Sequence, residues 1–477
     1  MEDRKYIIHV GPNGTFKPRG KHHSTQIEVD KVFEDYESRK LKNLTLYFHG
    51  GLVNEKSGIK TAENIHANLN SANHGVLCLV WETGLFETLR DNIQTVSKTR
   101  LFKKLIKILT KNLTKKLGIS LSDSRGSGKS LSEEMLEKEL TSETPFEDFE
   151  VFDFGTNSRG ADAEFKIPQT PEELELELRF EVESDYEIPG LLQENQIALE
   201  EDKNSRGFIS TAILVRYLAK IAFRVIKRFV ARRDHGFYPT IIEELMREIY
   251  LAEIGSSIWN SMKIKSDQMW YPNEGLHGTD QHVGRYVLEK LVKLKNAQPD
   301  LSINLVGHSA GSIVTCNLLK TSTQSFPDLK FKSIVFLAPA CRVELFHSEI
   351  VQKPNFFSKL LIYTMYDSIE KKDLLLPYVY TRSLLYLISG VLENEGNDSD
   401  ALVLGMERHI SGIRPYDTIA EAVATNRFLY GQSNRRLVYS ITGEHELEGQ
   451  RSSSTTHGGF DEDENTLESL KFILNQP

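Results

Sequence analysis

The chain has 477 residues, enough for one large decorated domain or two to three ordinary ones. Its 39% hydrophobic and 26% charged content is that of a globular protein, and a net charge of -9 argues against whole-chain nucleic-acid binding. Cys78, Cys316 and Cys341 are scattered, with no CxxC pair and no metal-ligand spacing. That excludes a disulfide framework and points to a reducing, cytoplasmic compartment. The start, MEDRKYIIHV, carries acids at once and lacks a signal-peptide apolar core, and no run of 18 apolar residues occurs.

The first elements alternate. KYIIHV, NLTLYF (Asn43 to Phe48) and VLCLV (Val76 to Val80) read as strands, with a helical stretch from Lys60 to Leu69 between the last two. Near-continuous apolar runs of this length suit strands buried on both faces of a parallel sheet.

The pattern breaks at residue 99. From Arg100 to Lys116 there are seven Lys/Arg and no acid, with Leu101, Leu105, Ile108, Leu109 and Leu113 at helical spacing. From Glu133 to Asp202 there are 23 Asp/Glu against four Lys/Arg. A second basic amphipathic helix follows over 217–233, with Leu218, Ile221, Val225 and Phe229 on one face. Such helices can lie on an anionic membrane surface. The acidic block can instead neutralise them within one domain, and the charge totals favour that reading. The block's high charge and few aromatics predict partial disorder between Glu133 and Pro189. SDSRGSGKSLS reads as a linker. Its DSRGSGKS end imitates a phosphate loop, but Asp123 stands where the first glycine should be and no strand precedes it, so nucleotide binding is not expected.

Alternation then resumes. Helices are predicted over 239–263 and 279–297. INLV is a strand, followed by Gly-His-Ser-Ala-Gly and a helix through Leu319. SIVFLA and KLLIYTMY are further strands, residues 374–430 are helical and irregular, and RLVYSIT is the last strand before a closing helix at 464–474. The fold class is α/β, a mostly parallel sheet flanked by helices. A large helical insertion over 99–235 separates a first core segment, 1–98, from a second, 236–477.

INLVGHSAGSIV carries the chemistry. A serine hydroxyl needs a base beside it and an oxyanion site opposite. A strand turning sharply into a helix raises the turn residue above the sheet edge, and the crowding demands small residues two before and two after. Gly307 and Gly311 meet that demand around Ser309.

This arrangement resembles the α/β-hydrolase superfamily. The resemblance covers roughly 1–98 and 270–477 and omits the insertion. It implies a triad in the order nucleophile, acid, histidine: Ser309 after INLV, Asp367 after KLLIYTMY, His457 after RLVYSIT. It also implies an oxyanion loop at His49, Gly50, Gly51 and Leu52, similar to the HGG motif of esterases and lipases. The donors would be the backbone N–H groups of Ala310 and of Gly51 or Leu52. Two departures stand out. The main insertion precedes the nucleophile, whereas the family's large cap usually follows it. The loop from Gly443 to Thr456 is also long.

The implied activity is acyl transfer to water from a carboxylic ester, with lipid or phospholipid esters favoured and no metal or organic cofactor needed. An amidase or peptidase shares the same fold and triad. A silent hydrolase fold used for protein contact, or an effector whose cap opens on a signal, are the other readings. Other roles compete at single positions. His445 rivals His457, and Glu370 and Asp373 lie near Asp367. His308 is a site-wall residue, Cys316 a core residue, and Glu82 in WETG a solvated loop residue.

Overall fold

Seven runs rich in Val, Ile, Leu and Phe, apolar at most positions, form one parallel sheet. The computed structural model describes residues 6–18, 22–50, 55–81, 85–118, 120–121, 132–150, 168–195, 210–250, 255–393, 399–431 and 436–476. The strands are β1 (Ile7–His9), β2 (Asn43–Phe48), β3 (His74–Val80), β4 (Ser302–His308), β5 (Phe331–Leu337), β6 (Phe357–Met365) and β7 (Leu437–Ser440). They stand in the order β1-β3-β2-β4-β5-β6-β7, every neighbouring pair parallel. Parallel pairs require crossovers, and crossovers place helices on the faces, which is why these strands are buried nearly throughout.

The strand order reverses at β2. The chain lays β3 and β1 on one side of it, then crosses to pair β4 on the other. In an open α/β sheet the usual ligand position is outside the carboxyl ends of the strands at such a switch, here those of β2 and β4. Register aligns those ends: Phe48 stands opposite Gly307, and His308 opposite Leu337.

Five helices matter for this unit: α1 (Gln26–Arg39), α2 (Glu55–Leu69), α3 (Val283–Ala297), α4 (Gly311–Ser325) and α5 (Glu464–Asn475). Ile59, Ile65 and Leu69 of α2 share one core cluster with Leu467, Leu470 and Ile473 of α5 and with Val76 and Cys78 of β3. Helix α1 is absent from the sequence expectations. Its signal is the box formed by Thr25 and Glu28, whose side chains reciprocally cap each other's backbone N–H groups.

The chain divides into two compact units. The first comprises 1–88, 258–373 and 402–477, and the second 89–257 and 374–401. The second is thus longer than the 99–235 insertion read from the sequence, and it includes a distant segment. Of the predicted helix over 239–263, Phe237–Leu245 and a π-turn at Met246–Tyr250 belong to the second unit and Gly255–Gln268 runs into the first, with 251–254 outside the described residues.

Within the second unit the basic helices have partners. Arg100–Lys116 buries Leu101, Leu105, Leu109 and Leu113 completely. On its other side Lys104 reaches Glu187 at 2.8 Å, Lys107 reaches Glu137 at 2.7 Å and Lys116 reaches Glu177 at 2.8 Å. Part of the acidic block is accordingly ordered, as Glu133–Leu140 and Glu172–Ser184. Residues 122–131, 151–167 and 196–209, the phosphate-loop imitation among them, lie outside the described residues, as does Glu82. Among the described residues no helix is long and apolar enough to cross a membrane.

A buried ionic network ties the distant segment to the rest of this unit. Arg228, fully buried on the Thr211–Val230 helix, pairs with Glu243 at 2.7 Å and Glu244 at 3.1 Å. His235 Nδ1 and the Tyr380 hydroxyl both meet Glu243, at 2.8 and 2.6 Å, and Arg233 meets Asp400 at 2.6 Å. Burial would raise the Glu243 carboxyl, but the charges of His235 and Arg228 override it and hold the group at about 2. Gly390 is required here, because a Cβ at that position would sit 2.3 Å from the Glu243 carboxyl. Charges this deeply buried stabilise a structure only as a complete set. Glu243→Ala is therefore expected to destabilise the protein by about 3–5 kcal/mol, read as a lowered urea midpoint.

Candidate active site

Ser309 sits between β4 and α4 with φ of 50°, in the left-handed region that a non-glycine residue enters at a cost. The surroundings hold it there. Its N–H donates to Leu337 at 2.8 Å, and its carbonyl accepts from the N–H groups of Ser312 and Ala340 and from the Ser312 hydroxyl at 2.6 Å. The flanking glycines are sterically obligatory. A Cβ on Gly311 would lie 2.1 Å from the Phe48 carbonyl oxygen, and one on Gly307 would lie 2.7 Å from the Gly311 carbonyl. Ala310, fully buried, precedes the first turn of α4.

The loop after β2 comes to the same place. A Cβ on Gly50 would be 3.3 Å from Ser309 Cβ, a tight contact that a larger residue could make only by shifting its neighbours a few tenths of an ångström. His49 is locked behind it. Its Nε2 accepts from the Trp81 N–H at 3.2 Å, its Nδ1 donates to the Gly50 carbonyl at 2.6 Å, and the Trp81 indole donates to the His49 carbonyl at 3.1 Å. Burial lowers its pKa to about 4, in keeping with that neutral tautomer. His49 therefore braces the loop between β2 and β3. Gly51 and Leu52 lie outside the described residues.

His457 meets the serine: its Nε2 is 2.8 Å from Ser309 Oγ. The long loop before it is tied down by hydrogen bonds, the Tyr363 hydroxyl to the Gly449 carbonyl at 2.6 Å and the Thr442 N–H to the Ser452 carbonyl at 2.9 Å. His445 is exposed. If Nε2 accepts the Ser309 proton, Nδ1 carries the ring hydrogen. That atom is buried and has no hydrogen-bond partner among the described residues.

Among the described residues neither Asp367 nor Asp373 is hydrogen-bonded to the His457 ring. Asp367 is not brought to the imidazole. It opens a short helix at the end of β6, and its carboxylate pairs with Lys371 at 2.7 Å, one helical turn on. Asp373 takes its place near the histidine, its Oδ2 accepting the His457 backbone N–H at 2.7 Å. Burial raises the Asp373 carboxyl and the backbone bond partly offsets this. A carboxylate at the carboxyl end of a strand was legible in the sequence. Which of three acids faces the histidine was not, because the turn after Tyr366 directs Asp367 back onto its own helix.

The sequence also missed a second pair. His308 Nδ1 lies 2.8 Å from Asp461 Oδ2, the Tyr47 hydroxyl donates to the same oxygen at 2.9 Å, and His308 Nε2 lies 3.0 Å from the His457 carbonyl. His308 thus occupies more than a wall of the site. Burial pushes the His457 pKa down to about 3, the nearby His308 charge pushes the same way, and Asp461 opposes both. Cys316 is buried in α4. Among the described residues, no group of three or more His, Cys, Asp or Glu is placed to hold a metal ion.

Two outcomes follow from this geometry. Gly311→Ala drives a methyl group into the Phe48 carbonyl and is expected to cost about 1–3 kcal/mol or more, measured by chemical unfolding. His49 and His457 have folded pKa values near 4 and 3, below the ordinary 6.5. Between these limits the unfolded chain binds protons that the folded chain refuses, so stability is expected to fall as pH drops from about 6.5 to 4, read from thermal midpoints. No protein-family model, no curated protein and no solved structure matches this chain.

Proposed function

We propose that this protein is a serine hydrolase of the α/β-hydrolase type, acting on a carboxylic ester through an acyl-enzyme. The observation that carries the reading is the 2.8 Å contact between His457 Nε2 and a buried Ser309 held at positive φ. That backbone cost is the usual means of presenting a nucleophilic hydroxyl above the sheet edge at a strand–helix turn.

In this reading His457 takes the Ser309 proton as the hydroxyl attacks the ester carbonyl. The tetrahedral oxyanion is received by the backbone N–H of Ala310 and by one from the loop after Gly50, at Gly51 or Leu52. His457 then protonates the departing alcohol, and water repeats the sequence to release the acid. Asp373 accepts the His457 backbone N–H and not the ring N–H, so in this reading it turns onto Nδ1 to steady the imidazolium in place of Asp367. A lipid or phospholipid ester remains the favoured substrate class. Lys104, Lys107 and Lys116 are engaged with acids of their own unit, which weakens the case for membrane docking through that helix.

One observation favours a silent fold instead. Among the described residues His457 Nδ1 lacks an acceptor, and a base held near 3 is a weak one until a carboxylate meets that nitrogen. Fluorophosphonate labelling followed by intact mass separates the two. The hydrolase reading expects one adduct on the native chain and none on Ser309→Ala. Asp373→Asn is expected to slow labelling on the order of 10²–10⁴-fold, with Asp367→Asn close to native. No adduct on the native chain, with and without anionic lipid, favours the silent fold.

A further inference from the structure

His308 lies between two groups that accept hydrogen bonds. The Asp461 carboxylate oxygen sits 2.8 Å from Nδ1, and the peptide carbonyl of His457 sits 3.0 Å from Nε2. A neutral imidazole has one N–H, so it can satisfy one acceptor and must turn a lone pair toward the other. A doubly protonated ring satisfies both. Asp461 is suited to be the counter-ion: it is buried, and the same oxygen also accepts from the Tyr47 hydroxyl at 2.9 Å.

We infer that His308 is an imidazolium at neutral pH, held between Asp461 and the His457 carbonyl, and that it is a positioning residue that fixes His457 against Ser309 and keeps it in its neutral, proton-accepting form.

Three contacts from three parts of the fold converge in this brace. Tyr47 comes from β2, His308 from the end of β4, and Asp461 from the segment between His457 and α5. The His308 and His457 ring centroids are 5.7 Å apart and tilted by 32°. The charged and titratable groups around them are few. Asp373 holds the His457 N–H, Asp461 and His308 act on His457 through space, and His49 lies nearby with Lys265 beyond it. A cation beside His457 disfavours a second one there, so His457 stays neutral into acid. Burial works against the His308 charge, but Asp461 outweighs it and raises that group above its ordinary range, while the Asp461 carboxyl is held down by His308 despite its own burial.

The opposite proton placement, a neutral His308 facing a protonated Asp461, is the alternative that experiment must exclude. Ring-nitrogen NMR of the native chain labelled with ¹⁵N-histidine, assigned against His308→Gln, reads it directly. Two protonated-type nitrogens on His308 at pH 7 are expected, and one bare nitrogen overturns the inference. The second arm rests on the hydrolase reading and uses the pH profile of fluorophosphonate labelling. His308→Gln keeps a donor but removes the charge, so the acidic limb of the profile is expected to move up by roughly 1–2 pH units. A limb that does not move overturns the charge-setting role. A native chain that takes no label defeats the hydrolase reading, while the NMR arm still decides the charge on His308.

Discussion

The close approach of α4 to the carboxyl end of β2 is the constraint on which the rest of the site depends. With no Cβ at Gly311, the helix starts almost against the Phe48 carbonyl. That leaves one path from β4 into α4, and the path places Ser309 at positive φ. Without a glycine at 311 the helix would stand off from the sheet and the turn could relax. The serine would lose its fixed height above the sheet edge. The parallel sheet supplies the other half of the constraint, since the aligned ends of β2 and β4 bring Gly50 under Ser309. Local strain here is balanced by hydrogen bonds from residues around the elbow, from Leu337 to Ala340, and by the packing of a sheet buried on both faces.

Charge is used in two ways in the molecule. At the candidate site, Tyr47, Asp461 and His308 form a compact buried set in which an acid and a base answer one another. In the second unit a larger set does similar work with arginines, around Glu243 and Asp400. Both sets join segments distant in sequence. Buried charges of this kind add little net stability over apolar packing but strongly penalise incomplete assembly. On the surface of the second unit the lysines of 100–116 meet glutamates in more exposed pairs. Such pairs are individually weak, and they leave the helix's apolar stripe to hold it in place.

Residue type and spacing were enough to point to the strands and the elbow, and the resemblance to a known family added the histidine. Strand periodicity and burial follow from side-chain chemistry along a few consecutive residues. The elbow follows from a local crowding rule that Gly307 and Gly311 satisfy. His457 was legible through the resemblance to the α/β-hydrolase triad order, which implies a histidine after the last strand. Helix α1 was equally legible in the Thr25 and Glu28 box, although a search for buried strands passes over it.

Other features depended on how the chain comes together in space. Asp367 and Asp373 are six positions apart and chemically identical, and only the turn after β6 decides that one binds Lys371 while the other reaches His457. His308 looked like a neighbour of the nucleophile pointing elsewhere. Its meaning appears only when Asp461, over 150 positions later, is folded against it. The recruitment of 374–401 into the second unit likewise depends on Glu243 and Asp400 finding partners across the chain. Sequence patterns report interactions whose geometry is set by the nearby backbone. Pairing between distant polar side chains is set by the whole fold, because many residues could satisfy the same charge and packing alone selects among them.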